Sequence, residues 1–179
     1  MSTYLLNNQL YTTEAIVLKH FDLNEDDRIF TLFSKEYGLI KAIGKSVKKP
    51  RNPMGGRLQV LRCNQLILQK KKQLDKIVQC DTHLFFPGLL SNYYALLHAL
   101  LIAEILSVLC QEQDPNPDLY EISLQTFYAL GQQLHPLPVV VWFELHLLNY
   151  MGYQLVLTHC HLCQEEQSSN VHTFFDLIG

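Results

Sequence analysis

Lysine and arginine are absent from the second half of this sequence. All fourteen lie between Lys19 and Lys76, whereas acidic residues are spread along the chain. Residues 1–80 carry 14 basic and 7 acidic side chains, and residues 81–179 carry ten acidic side chains and no basic one, which gives the formal net charge of −3. Opposite charge in the two halves indicates two modules that bind different partners.

The sequence also lacks the common catalytic motifs. It contains no P-loop, no Gly-x-Ser-x-Gly, no His-Glu-x-x-His and no dinucleotide-binding glycine pattern. The His-x-Glu pair that a zinc deaminase needs is absent as well. His98, Glu104, Glu144 and His146 lie in apolar stretches, where we expect them to be polar residues of a helix bundle rather than acid–base pairs. We therefore expect a protein that is not an enzyme.

The cysteines do not form a disulfide framework. They are five in number, which is odd, and no signal-peptide pattern begins the sequence. We therefore expect thiols or metal ligands in a reducing cytosol.

The apolar run at 93–110 approaches the length that spans a membrane. His98, Glu104 and Ser107 interrupt it, and no Lys or Arg flanks it. A carboxylate at the centre of a bilayer costs about 2.5–3.5 kcal/mol on insertion scales. The run therefore predicts a buried core helix and no membrane partner.

Residues 1–82 have the pattern of a small β domain. Short apolar runs separated by turn residues predict strands at 12–21, 28–34, 39–47, 57–69 and 74–84. Five strands in meander order suit an OB-type barrel better than a sandwich, which needs about seven, and an SH3-like barrel is the structural alternative. Residues 48–57 contain two prolines and two adjacent glycines, which predict a long mobile loop.

From Pro87 onward the apolar periodicity changes to that of helices. One long helix is predicted by an apolar stripe at Leu90, Tyr94, Leu97, Leu101, Ile105 and Val108. A second helix is predicted at 119–133 with Asp118 as its N-cap, and a third begins near Pro138 and ends at Gly152. The predicted α+β organisation is an OB-type barrel (1–82), an α-helical bundle (83–157) and an incomplete zinc-finger-like segment (158–179).

Positive charge concentrates in residues 41–76, which hold eleven basic side chains and one acid, Asp75. Lys41 and Lys45 are four apart on the third predicted strand, so a period of two places both on one face. Such a surface suits a phosphate backbone, because neutralised phosphates release their counterions. The predicted DNA-binding residues are Lys41, Lys45, Lys48, Lys49, Arg51, Arg57, Arg62, Lys70, Lys71 and Lys72.

Aromatic residues are absent from 41–76. Phe21, Phe30, Phe33 and Tyr37 precede this segment, and we expect most of them to pack in the core rather than to stack on bases. The pattern therefore predicts backbone-directed binding. Three alternatives stay open: a solvated charged surface, an interaction scaffold whose barrel docks a negatively charged protein, and an RNA-binding OB protein.

Cys160 and Cys163 form a Cys-x-x-Cys, the half-site spacing of a zinc ribbon. A structural zinc site needs four ligands, and no second such pair follows. His159, His161 and His172 are the nearby candidates, but the first two lie too close to the cysteines for the usual spacings. The pair is therefore either half of a zinc site or two cytosolic thiols.

Taken in order, several stretches resemble the RecO family of bacterial DNA repair proteins. They are "EAIVL" before an acidic turn, "LFSKEYGLIKAIGKS", "GGRLQVLRCNQLIL" and "GY" shortly before the Cys-x-x-Cys. The resemblance covers nearly the whole chain. It implies an OB domain that binds single- and double-stranded DNA, with Lys41, Lys45, Lys48, Lys49, Arg51 and Arg57 on it, a helical domain, and a zinc segment that begins with Cys160 and Cys163.

The resemblance also implies a non-enzymatic recombination mediator in the bacterial cytoplasm, at the nucleoid. Such proteins anneal complementary strands, bind RecR and the single-stranded-DNA-binding protein, and help to load RecA at gaps. Family members usually continue beyond this length with a second cysteine pair, which this sequence lacks. Their contact with the acidic tail of the single-stranded-DNA-binding protein uses basic positions in the helical domain, and the helical half here has no Lys or Arg. An acidic tail would be repelled unless the barrel supplies the cations.

Overall fold

The computed structural model describes residues 9–132 and 135–153. A domain of five strands, with one four-residue helix between the third and the fourth, is followed by helices, which confirms the α+β prediction. The strands are β1 (Leu10–Asp22), β2 (Arg28–Ser34), β3 (Gly38–Gly44), β4 (Cys63–Gln69) and β5 (Asp75–Leu84), and the helices are α1 (Met54–Arg57), α2 (Pro87–Ser91), α3 (Tyr93–Leu109), α4 (Pro117–Gln132) and α5 (Leu137–Tyr150).

The five strands close into a barrel in the order β1-β2-β3-β5-β4. β1 pairs antiparallel with both β2 and β4. A short parallel pairing of β3 with β5 closes the barrel, with Ala42 opposite Asp75 and Ile43 opposite Lys76. The predicted meander order is wrong, because β4 crosses over to β1 and leaves β5 beside β3. A small five-stranded barrel with such a crossover is of the OB type.

Two apolar cores meet at β1. Ala15 and Val17 point into the barrel, where they join a cluster that includes Phe30, Leu32 and Leu66. The alternate residues of β1, Ile16 and Leu18, point outward and pack with residues of α3 and α4. A strand that is buried on both faces needs a continuous apolar run, and the sequence "AIVL" supplies it.

The single long helix that was predicted from the apolar stripe between Leu90 and Val108 is in fact two helices, α2 and α3. Asn92 separates them, and its side-chain oxygen caps α3 by accepting the N–H groups of Tyr94 and Ala95. The buried face of α3 consists of Ala95, Ala99, Ile102, Ala103 and Leu106. The part of the predicted stripe that falls on α3 lies largely on the other side, where Tyr94, Leu97 and Val108 are exposed. Small side chains on the buried face allow a close approach to β1, which the pattern of large residues did not reveal.

Two other local details differ from the predictions. The segment at 48–57, predicted as a long mobile loop, forms turns and the short helix α1, and the Asn52 amide donates to the Ser46 carbonyl at 3.1 Å. The N-cap of α4 is Asn116 rather than Asp118, since the Asn116 side chain accepts the Leu119 N–H at 2.7 Å. Within the described ranges, no helix is long and apolar enough to cross a membrane.

Ion pairs connect the barrel to the helices. Lys19 pairs with Glu104 at 3.1 Å, and Lys35 pairs with Glu121. Some cations of the barrel are therefore paired with carboxylates of the helical half, and not every charge is left for an outside partner.

Candidate nucleic-acid interface

The outer face of β3 and the two loops beside it form one surface, which we call the β3 face. The β4–β5 loop (70–74) lines clefts with Leu39, Lys41 and Ile43 of β3. At the far end of β3, the β1–β2 turn (23–27) contacts the segment after the strand, where the Lys48 N–H donates to the Asp26 carbonyl at 3.0 Å. From residue 37 to residue 45 the surface extends about 26 Å at 3.3 Å per residue. The corresponding strands and loops of OB barrels bind oligonucleotides.

The β1–β2 turn carries carboxylates that pair with lysines after β3. Asp27 accepts the Lys45 ammonium and the Ser46 N–H, both at 2.8 Å. The hydrogen bond from Lys45, then those from Ser46 and Asn24, hold the pKa of Asp27 well below its ordinary value. The turn itself is shaped by Asn24, whose side-chain oxygen accepts the Asp26 and Asp27 N–H groups. Asp27 therefore fixes the position of the segment that follows β3.

Two more carboxylates of the same region pair with lysines. Asp22 accepts Lys48 at 2.8 Å and Arg28 at 2.7 Å, and these hydrogen bonds, led by the one from Lys48, lower the pKa of Asp22 to about 2. Asp26 pairs with Lys49 at 3.0 Å. Residues 22–28 and 45–51 together hold five cations and four carboxylates. The positive charge that the sequence places here is largely balanced in the folded protein.

Lys45 also departs from the prediction in its position. β3 ends at Gly44, so Lys45 lies in the following turn and not on the strand beside Lys41. The backbone closes tightly at Gly44, where a Cβ would lie 2.8 Å from both the Phe30 ring and the Val47 side chain. Lys41 itself points outward, whereas Ile40 and Ala42 point into the barrel core. Lys41 thus lies on the strand of the β3 face, and Lys45 lies in the turn that follows the strand.

The excess of positive charge lies at the β4–β5 loop. Lys41, Lys70, Lys71 and Lys72 line one cleft of about 370 Å³, together with two carboxylates, Asp75 and Glu112. Asp75 has a nearly buried side chain, 7% exposed, and accepts the Lys70 ammonium at 3.3 Å and the Lys71 N–H at 3.0 Å. Lys71 and Lys72 have exposed side chains. This cleft is the part of the β3 face that most favours a polyanion.

Two tyrosines lie in the same cleft. Tyr11 and Tyr37 meet edge to face with their ring centroids 4.9 Å apart. The Tyr11 hydroxyl donates to Asp75, and the Lys70 ammonium lies 5.9 Å from the centre of the Tyr11 ring. Burial, and then the bond to Asp75, raise the pKa of Tyr11 above its ordinary value. The Tyr11 hydroxyl therefore stays protonated and continues to donate its hydrogen bond to Asp75.

The aromatic prediction is confirmed for only two of its four residues. Phe30 and Phe33 are buried in the two cores, but Phe21 and Tyr37 are 55% and 41% exposed. Local sequence patterns do not indicate that Tyr37 lines the same cleft as the lysines of 70–72, because the turn and the loop are more than thirty residues apart. Base stacking therefore becomes available on the β3 face.

Two predicted DNA-binding residues, Arg57 and Arg62, do not join the β3 face. Arg57 is in α1 and pairs with Asp81 at 2.9 Å, and six residues of β5, or about 20 Å, separate Asp81 from Asp75. The Arg62 guanidinium lies 5.9 Å from the Phe85 ring centre, beside the start of the helices. Arg51 has an exposed side chain and follows Lys49, which pairs with Asp26 of the β1–β2 turn. The ten predicted cations are therefore divided among four places: the cleft at the β4–β5 loop, the segment after β3, the Arg57–Asp81 pair and the Arg62–Phe85 contact.

The cysteines in the described part are unreactive in character. Cys63, Cys80 and Cys110 are free thiols, and burial raises the pKa of the first two to about 12 and that of Cys110 to about 11. Cys160 and Cys163 lie outside the described residues. Among residues 9–132 and 135–153, no group of three or more His, Cys, Asp or Glu side chains could hold a metal ion. The zinc half-site stays a prediction.

The polar residues of the apolar helices have surface roles. The Nδ1 atoms of His98 and His146 lie 2.7 and 2.8 Å from the carbonyl oxygens of Tyr94 and Trp142, one helical turn earlier. Glu104 pairs with Lys19, and Glu144 is exposed. A cavity of about 870 Å³ between α4 and α5 is lined by uncharged side chains and His135, so it does not suit a polyanion.

Curated relatives of this chain are each named DNA repair protein RecO. The protein of Desulfitobacterium hafniense is 31% identical over 154 residues, which are 86% of this chain and 56% of the relative. That of Pelotomaculum thermopropionicum is 34% identical over 157 residues, 87% of this chain and 60% of the relative. That of a Synechocystis species is 29% identical over 169 residues, 94% of this chain and 62% of the relative. The chain thus spans about three-fifths of the length of these relatives.

Two family models match consecutive parts of the chain. The one described as "Recombination protein O N terminal" matches residues 8–86 and ends just after β5. The one described as "Recombination protein O C terminal" matches residues 90–177 and begins within α2. Because the two models in order account for nearly every residue, the chain belongs to the RecO family.

Proposed function

We propose that this chain binds DNA in repair and recombination, and that it does so without catalysing a reaction. The observation that carries the proposal is the cationic cleft of the β3 face, where four lysines surround two carboxylates and the exposed Lys71 and Lys72 extend beside β3. Binding through phosphates is independent of sequence, as a repair protein requires. The name of the curated relatives, DNA repair protein RecO, supports this role.

The ion pairs of the β3 face are compatible with DNA binding. Exposed ion pairs contribute only about 0.2–1 kcal/mol each, so a phosphate can take the place of a carboxylate at small cost. Lys41 and Glu112, with side chains 56% and 54% exposed, form such a pair. A strand that binds here exchanges intramolecular pairs for phosphate contacts and releases counterions.

Strand annealing follows from the same surface. Two complementary strands repel each other through their phosphates, and a basic surface that neutralises part of that charge reduces the repulsion. We place this annealing in gap repair, with RecR as partner and RecA loading as the outcome. The same proposal locates the protein in the bacterial cytoplasm, at the nucleoid.

The contact with the single-stranded-DNA-binding protein needs a cation from the barrel, since the helical half has none. Arg62 is such a cation. It borders a cleft of about 280 Å³ whose lining includes Phe85, Leu90 and Leu100. We propose that an acidic tail with apolar side chains would bind there.

Zinc is proposed from the sequence alone. Cys160 and Cys163 would supply two thiolates, and a structural zinc site takes four ligands. Zinc content measured on the purified chain, before and after substitution of both cysteines by serine, tests this. Loss of stoichiometric zinc in the variant would support the half-site, and a zinc-free wild-type chain would overturn it.

Binding of fluorescent oligonucleotides over a salt series tests the main proposal. Log affinity should fall linearly with log salt, with a slope of about 0.7 per phosphate contacted for single strands. The double variant Lys71→Glu/Lys72→Glu should lower both the affinity and the slope, the slope by about 1–2. Arg57→Glu is the matched control, because Arg57 pairs with Asp81 away from the β3 face.

The outcomes separate the candidate functions. No binding at low salt, or an equal loss in the β4–β5 loop variant and in the Arg57 control, would contradict the proposal. Tighter binding of RNA than of DNA of equal length would favour the RNA-binding alternative. A weak salt slope would favour an interaction scaffold.

A further inference from the structure

Tyr37 has a fixed backbone position in the turn between β2 and β3. Its N–H donates to the Ser34 hydroxyl at 3.1 Å. The next residue, Gly38, has a φ of +67° and packs so closely that a Cβ would lie 2.4 Å from the Asp114 carbonyl oxygen. The Leu39 N–H then donates to the Gln111 carbonyl at 3.0 Å. The turn is therefore held against the connection between α3 and α4.

The wall behind Tyr37 consists of groups that already have partners. The Tyr11 ring lies edge to face against Tyr37 with an interplanar angle of 61°, and its hydroxyl donates to Asp75. Asp75 also accepts Lys70 and the Lys71 N–H. Tyr37 remains 41% exposed in the same cleft. A partly exposed aromatic side chain on a fixed backbone beside cations is the arrangement on which single-stranded nucleic acids stack their bases.

We propose that Tyr37 is a stacking platform for one unpaired base, held in the cleft between the β4–β5 loop and the connection after α3. This inference rests on the proposed DNA binding and specifies the substrate as single-stranded DNA. The bases of a duplex are stacked on each other and cannot reach the ring, so a duplex uses only the cations. The chain should therefore prefer single strands, and Tyr37 should account for the difference.

The charges of the cleft give the orientation of the nucleotide. Glu112 borders it with an exposed side chain, and a carboxylate there repels phosphate but accepts a hydrogen bond from the amino group of a base. Lys71 and Lys72 are exposed and line a second shallow cleft with Ile43. The base thus enters the cleft beside Tyr37, and the flanking phosphates lie along Lys71 and Lys72. The volume of about 370 Å³ falls within the roughly 300–1,000 Å³ of small-ligand sites.

Substitution of the ring tests the platform on the full chain. Tyr37→Ala should weaken binding of a single-stranded oligonucleotide by roughly 5- to 150-fold, which corresponds to ~1–3 kcal/mol for one stacked base. Duplex of the same length should change by less than about twofold. Tyr37→Phe keeps the ring and should bind like the wild type. Tyr128→Ala removes a tyrosine that is 64% exposed on α4 and serves as the control for loss of an exposed ring.

A second measurement uses the unaltered protein. A single-stranded oligonucleotide with 5-iodouracil, irradiated in complex with the wild type, should cross-link to Tyr37, and peptide mapping identifies the residue. Equal losses of single-strand and duplex binding in Tyr37→Ala, or cross-links only elsewhere, would overturn the platform. If Lys71→Glu/Lys72→Glu still abolishes binding in that case, the proposed DNA binding stands without the platform. If the wild type binds neither strand form, the proposed function fails first.

Discussion

The ammonium nitrogen of Lys41 lies 2.8 Å from a carboxylate oxygen of Glu112, so a cation on β3 is paired with an acid from the connection after α3. The same connection forms backbone bridges to Gly38 and Leu39 at the start of β3. The helical half therefore contributes one wall of the cleft in which we propose that DNA binds. A carboxylate of the negative half thus lowers the net positive charge of the cleft in the positive half.

Removing the charge of Glu112 should strengthen DNA binding. The Glu112→Gln variant frees Lys41 and removes an anion from the cleft, and an exposed ion pair of about 0.2–1 kcal/mol corresponds to a gain of roughly 1.5- to 5-fold in affinity. The gain should shrink as salt rises, because screening weakens both the pair and the repulsion of phosphate. Fluorescence anisotropy at low and high salt measures it. Glu104→Gln, which removes the partner of Lys19 on β1, is the control, and an equal gain there would contradict a local effect.

Gly38→Ala should destabilise the protein. A side chain at a φ of +67° is strained, and its Cβ would meet the Asp114 backbone at 2.4 Å. We expect the free energy of unfolding to fall by about 1–3 kcal/mol, measured by urea denaturation with an unchanged m-value. Gly56→Ala is the matched control, because nothing lies within 4 Å of a Cβ at that position. A similar loss in both variants would mean that the close approach to Asp114 is unimportant.

Asp27 should stabilise the fold in a pH-dependent manner. Lys45 first, then Ser46 and Asn24, hold the pKa of this carboxyl below its ordinary value. A depressed pKa in the folded state means that the stabilisation is complete above the ordinary carboxyl pKa of about 4 and is lost as the pH falls towards the folded value. Asp27→Asn should therefore lower the Tm at pH 7, and the difference from wild type should narrow below about pH 4.

Thermal melting of both proteins from pH 7 to pH 2 measures this difference. Asp26→Asn is the control, because Asp26 forms a more exposed pair with Lys49, and its Tm at pH 7 should stay near that of the wild type. A Tm difference for Asp27→Asn that is constant down to pH 2 would show that the carboxylate charge does not carry the effect.

Local patterns were sufficient to predict most elements of the fold. Short apolar runs between turn residues predicted the five strands close to where they lie, and the predicted bounds 28–34 are those of β2. The register of the closing pair, Ala42 with Asp75, could not be predicted, because it joins distant segments through only two paired positions. The buried face of α3 was missed for a similar reason, since large apolar side chains also occupy its exposed side and the neighbouring elements decide which side is covered.

By itself the sequence determined the positions of the cations, the absence of Lys and Arg after Lys76 and the order of strands and helices, because these depend on composition and short-range periodicity. Tertiary structure decided which charges lie together. It brought Asp22, Asp26 and Asp27 to the lysines after β3 and Asp81 to Arg57, whereas Lys71 and Lys72 stayed exposed beside Tyr37. Electrostatic interaction depends on distance in space and not along the chain, so a charge excess read from the sequence becomes a binding surface only after folding.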